Sequence, residues 1–211
     1  QLDATQYIDT DAATCIGPVA GNCFLYEYDA ATKQLRQLAD VSKVLGLPSG
    51  HYTPGMIGSR LDLGDDGWLY AATYRASAAA ATDQYHYEGD WVLRVHPQSG
   101  KAEVIGRPIP KHAIPCTVLD PKRLILYGGA VPGEGKDDAA KFFAYDLKAK
   151  RLLFSCDGGP TRALIFARST GRVYFTRGTE GNLFRYAPEK GGAPERLDGP
   201  VPAEVPVHVH F

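Results

Sequence analysis

"NLFRYAPEKGGAPERL", residues 182–197, decides the fold, because it reads as a strand, a tight turn and a returning strand, and the chain repeats it. "FLYEYDAATKQLRQL" (24–38), "WVLRVHPQSGKAEVI" (91–105) and "FFAYDLKAKRLLFS" (142–155) follow the same pattern. Aligned on their turns, Tyr28-Asp29, Val95-His96, Tyr145-Asp146 and Tyr186-Ala187 occupy equivalent places. Two residues earlier stand Tyr26, Leu93, Phe143 and Phe184, separated from them by Glu27, Arg94, Ala144 and Arg185. Large apolar side chains thus alternate with mostly polar ones, the period of a half-buried strand. Thr32-Lys33, Ser99-Gly100, Ala149-Lys150 and Lys190-Gly191 make the turns, and "QLRQLA", "KAEVIG", "RLLFSC" and "PERLDG" return.

Every copy but the first is preceded by another hairpin. "MIGSRLDLGDDGWLYAATY" turns at its Asp-Gly, "PCTVLDPKRLILYGGA" at Asp120-Pro121, and "RALIFARSTGRVYFTRG" at Thr170-Gly171. The unit is therefore four antiparallel strands, expected over about residues 56–106, 115–158 and 162–199. The equivalent marks Tyr28, Val95, Tyr145 and Tyr186 lie 67, 50 and 41 residues apart. Four-stranded units at such a period predict an all-β chain, a β-propeller in one domain over residues 1–211 or a piece of a larger one. Residues 1–41 supply three strands of a further blade, and "VPVHVHF" near the end reads as its first strand. The expected architecture is four blades if residues 203–211 close the N-terminal one, which removes exposed sheet edges.

"DDGWLYAATY" and "WVLRVHPQSGKAEVIG" resemble the bacterial propeller repeats of the broad PQQ-like, kelch-like and sugar-lactonase-like superfamily. The resemblance covers most of the chain. Its motifs are structural, so it implies a fold and no particular chemistry.

Composition excludes some partners. Over 211 residues the formal net charge is −1, so no global basic field recommends nucleic acid. No apolar run reaches the roughly 18 residues of a membrane span. Four cysteines in a turn-rich chain suggest an oxidising compartment, hence a secreted or periplasmic protein. Cys15 and Cys23 bracket a short loop containing Gly17, Pro18 and Gly21 and are expected to pair as a disulfide. No zinc-type Cys/His spacing, phosphate-binding glycine loop or nucleophile elbow is present, and the sequence assigns no cofactor.

Propeller geometry brings the fourth-to-first and second-to-third strand connections onto one face, where ligand sites collect on loops held by a rigid scaffold. The candidates there are His51, Tyr52, Arg60 and His112 for catalysis, and Lys111, Arg162, Tyr85 and His86 for ligand binding. Imidazole, phenol and guanidinium groups suit a sugar acid or another carboxylate, and also suit proton abstraction beside one. His208 and His210, two apart on one strand, are candidate metal ligands. The leading expectation is a scaffold that binds a small molecule, a glycan or a protein. The alternatives are a carbohydrate-acid lyase or lactonase, and a structural module of a larger assembly.

Overall fold

The computed structural model describes residues 5–11, 21–75, 78–133, 138–177 and 181–197, the first of these segments by its backbone. Four antiparallel sheets follow one another along the chain. The first contains β1 (Thr5–Asp11), β2 (Cys23–Asp29) and β3 (Gln34–Asp40). A short helix, α1 (Val41–Leu45), follows at once. Asp40 caps it by accepting from the Lys43 amide, and Gly46 ends it in the left-handed region.

The second sheet contains β4 (Met56–Ile57), β5 (Asp62–Leu63), β6 (Leu69–Tyr74), β7 (Val92–Val95) and β8 (Ala102–Gly106). The third contains β9 (His112–Asp120), β10 (Ile125–Pro132), β11 (Lys141–Asp146) and β12 (Arg151–Asp157). The fourth contains β13 (Leu164–Ala167), β14 (Arg172–Arg177), β15 (Asn182–Tyr186) and β16 (Glu195–Arg196). Residues 203–211, and with them the expected closing strand, lie outside the described residues.

The repeated hairpins share one turn device. Lys33, Gly100, Lys150 and Gly191 all take positive φ, at 57°, 68°, 51° and 64°. Glycine reaches that region freely, whereas lysine is strained there. Asp29 and Asp146 hold two of these turns by accepting the amides two and three residues ahead.

Three apolar cores join the four sheets in sequence. The first seats Cys23, Leu25 and Leu38 against Leu69, Leu93 and Val95. The second packs Tyr70, Ala72 and Val92 against Ile114, Leu126 and Phe143. The third packs Val118, Tyr127 and Phe142 against Leu164, Val173, Phe175 and Tyr186. Polar latches reinforce each junction. Arg36 donates to the carbonyls of Pro97 and Gln98, the Asp65 amide to Pro121, and Arg123 to Gly171.

Candidate functional site

A cleft forms where β4, β9 and β13 come together, and each contributes through a local irregularity. The segment Met56–Leu63 reads in sequence as one strand, but the structure breaks it. Ile57 pairs with Thr73 and Asp62 with Tyr70, so residues 58–61 oppose only residues 71 and 72. Ser59 repairs the gap. Its hydroxyl accepts from the Ala72 amide at 2.6 Å and donates to the Arg60 carbonyl at 3.1 Å. This bulge carries Arg60, whose Nε lies 3.0 Å from Asp62 Oδ1. Burial pushes the Asp62 carboxyl up, against the pull of the Arg60 charge.

β9 has its own register shift opposite Gly129–Val131, and Pro115, which cannot donate to a ladder, sits there. The connection from β12 to β13 then lies directly on strand backbone. The amides of Gly158 and Gly159 both donate to the Ala140 carbonyl, at 2.6 and 3.0 Å. A Cβ on Gly159 would lie 2.0 Å from the Lys141 carbonyl carbon and oxygen, and one on Gly129 would lie 1.8 Å from the Pro160 oxygen. Only glycine permits this approach, and it delivers Thr161 and Arg162 to the cleft.

Arg60, Pro115, Cys116, Thr117 and Arg162 line a cleft of about 160 Å³. Arg162 and Ala163 also border a wider groove of about 830 Å³, walled by Thr161, Thr176, Arg177, Asn182 and Phe184. The two are therefore neighbouring parts of one depression. Its polar groups are only partly spent internally: Arg60 pairs with Asp62, and Arg177 Nη2 donates to Cys156 Sγ at 3.7 Å. Arg36, Arg60, Arg94, Arg123, Arg172 and Arg185 are ion-paired. Arg162 and Arg177 have no carboxylate partner among the described residues. The Arg177 guanidinium lies 4.4 Å over the Phe184 ring, and its Nε is buried without a hydrogen-bond partner. Thr117 is 3% exposed, and its hydroxyl likewise lacks a partner. Leaving such a group unsatisfied costs about 1–3 kcal/mol. Burial pushes the Cys116 thiol up to about 12, away from the thiolate form.

The residues expected from the sequence do not share one site. Arg60 and Arg162 share the cleft. His51, Tyr52, Tyr85 and His86 gather elsewhere. The rings of His51 and His86 stack with centroids 4.3 Å apart, and the Tyr52 amide donates to the Tyr85 carbonyl at 2.8 Å. Lys111 reaches back to Asp83 at 2.6 Å and Glu88 at 3.4 Å. His112 is buried, with Nδ1 2.7 Å from the Pro110 carbonyl and Nε2 3.4 Å from both the Ala139 carbonyl and Asp138. Cys15, the expected partner of Cys23, and both His208 and His210 lie outside the described residues. Among the described residues no group of three metal-ligating side chains assembles.

The sequence reading missed Asp90, Thr117 and Arg177. Asp90 is fully buried and accepts from Tyr52 at 3.0 Å, Thr73 at 2.7 Å and Tyr87 at 3.2 Å. Burial raises its pKa to about 6, opposed by those three hydrogen bonds. Its amide donates to the His112 carbonyl, tying the second sheet to β9. Tyr52 thus serves a buried acid, and both burial and the Asp90 charge hold its phenol well above the usual range. No spacing marks these residues. The only available signal is that Thr117 and Arg177 fall on strands next to connections.

No protein-family profile matches the chain, and no curated protein does. Solved structures do. The periplasmic gluconolactonase of Pseudomonas aeruginosa superimposes with TM-score 0.57 at 18% identity, over 95% of this chain and 55% of that one. The β-propeller domain of the Trilobed protease from Pyrococcus furiosus gives TM-score 0.48 at 10% identity, over 85% and 49%. An oligogalacturonate lyase in complex with manganese gives TM-score 0.36 at 12% identity, over 83% and 61%. This chain spans about half the length of the gluconolactonase. The chain has the β-propeller fold, and at such identity the likeness reaches no further.

Proposed function

We propose that this propeller binds a small carboxylate-bearing ligand, a sugar acid or a close relative, in the depression between β4, β9 and β13. One observation carries the reading: Arg162 and Arg177 line that depression without a carboxylate partner among the described residues, in a chain whose other cleft arginine, Arg60, is paired. A guanidinium takes a carboxylate in bidentate fashion, and the Thr117 and Thr176 side chains supply hydroxyls for a polyol. Phe184, already under Arg177, gives an apolar wall for a sugar ring.

Calorimetric titration with gluconate, glucuronate and glucose tests this. The two acids bind, glucose does not, and affinity falls as salt rises. Arg162→Ala and Arg177→Ala each weaken acid binding at least tenfold without lowering thermal stability. Equal binding of acids and glucose, or unchanged affinity in both variants, refutes the reading.

A second reading is lactone hydrolysis, prompted by the gluconolactonase named above. The cleft's arginines would then polarise the lactone carbonyl. Release of acid from glucono-δ-lactone at the uncatalysed rate removes this reading and leaves the binding one standing. A secreted or periplasmic location belongs to the same proposal and rests on the expected Cys15–Cys23 pair, because Cys116 and Cys156 are free thiols. Non-reducing peptide mapping of secreted material yields a Cys15–Cys23 cross-link. Alkylation of both thiols without prior reduction would argue for a reducing compartment.

A further inference from the structure

The depression between β4, β9 and β13 has two parts of different size, joined at Arg162. The narrow part measures about 160 Å³, below the roughly 300–1,000 Å³ of sites that enclose a whole ligand. The groove beside it measures about 830 Å³, near the top of that range. A single sugar acid is smaller than the ligands such volumes hold, so it leaves much of the groove empty.

Charge follows the same division. The residues lining the two parts include three arginines, Arg60, Arg162 and Arg177, and no carboxylate. Arg60 is paired with Asp62. The nearby acids are engaged elsewhere: Lys141 holds Asp157, next to the groove residue Gly158, at 3.0 Å and Asp138 at 2.9 Å. Among the described residues, the depression therefore keeps two positive charges without a carboxylate, in a chain whose formal net charge is −1. Arg162 stands where the narrow part meets the groove, and Arg177 stands in the groove wall. Arg177 is also fixed in place, with Nη2 on Cys156 Sγ and its guanidinium over the Phe184 ring. Two like charges in one depression repel each other, and a ligand with one carboxylate answers only one of them in bidentate fashion. Thr161 and Thr176, both exposed in the groove wall, add hydroxyls for the sugar body.

We infer that the ligand is an acidic oligosaccharide of at least two uronic acid residues. The carboxylate of one residue sits on Arg162, and that of the next sits on Arg177. This inference rests on the carboxylate reading above and adds the length and charge of the ligand.

Calorimetric titration tests it, with glucuronate, mannuronate and galacturonate, the 1,4-linked dimer of each, glucarate, and cellobiose. At least one dimer binds about tenfold or more tighter than its own monomer. Its affinity also falls more steeply with salt, because two charges are paired. Cellobiose, a dimer without charge, does not bind. Glucarate, with two carboxylates on one residue, binds no tighter than glucuronate. In Arg177→Ala the advantage of the dimer over its monomer disappears. Dimers that bind no better than their monomers overturn the inference and leave the carboxylate reading standing, because the two guanidiniums then clamp one carboxylate. Glucarate matching the best dimer overturns it as well, since one residue then suffices. So does a dimer advantage that survives Arg177→Ala. Failure of every acid to bind removes both readings. Should Arg177→Ala misfold, the comparison of monomers and dimers on the unaltered chain decides.

Discussion

Asp90 is the residue whose chemistry the surroundings alter most usefully. It is fully buried, and its carboxyl titrates near pH 6 because burial opposes its charge. The folded chain therefore binds this proton more tightly than the unfolded chain, in which an aspartate titrates near 4. Between pH 4 and 6 the contribution of this group to stability falls as pH rises, by on the order of 2–3 kcal/mol in all. Asp90→Asn keeps a carbonyl acceptor for the hydroxyls and cannot ionise. Urea unfolding of both proteins at pH 7 and pH 5 should show the wild type gaining on the variant as pH falls. A difference independent of pH would show that Asp90 is already charged in the folded chain throughout that range.

At the scale of elements, the connection between β12 and β13 places Arg162, and glycine makes it possible. Gly159→Ala puts a methyl group 2.0 Å from the Lys141 carbonyl, so one backbone must move. The expected loss is about 1–3 kcal/mol of stability, typical of overpacking. Ligand affinity should fall with it, although residue 159 does not itself carry the charge. Chemical denaturation beside the gluconate titration checks both effects, and unchanged affinity would mean the loop is placed by other contacts. The Ser59 patch shows the same economy. One hydroxyl repairs a broken ladder, and the break aims Arg60 at the cleft.

For the whole molecule, each sheet is a local hairpin pair that acquires a core only against its neighbours. That explains how the candidate cleft arises, since no single sheet contains it. Arg60 comes from the second sheet, Thr117 from the third, and Arg162 from the connection into the fourth.

The repeated hairpins were legible in the residues themselves, whereas the break between β4 and β5 and the helix α1 were not. Alternation of large apolar side chains, and turns at Lys33, Gly100, Lys150 and Gly191, are local properties that strand period and backbone sterics express directly. The placement of Arg60 and Arg162 near inner strands followed from the same repeats. The rest was decided by packing between sheets. Tyr52 meets Asp90, 38 residues away in sequence, through the pairing of the second sheet, and Arg60 lines one cleft with Arg162, 102 residues away, only because separate sheets stack. Periodicity says which face of a strand a side chain leaves from. Which polar group waits on the other side, and whether it satisfies that side chain or leaves it for a ligand, is set by the tertiary structure.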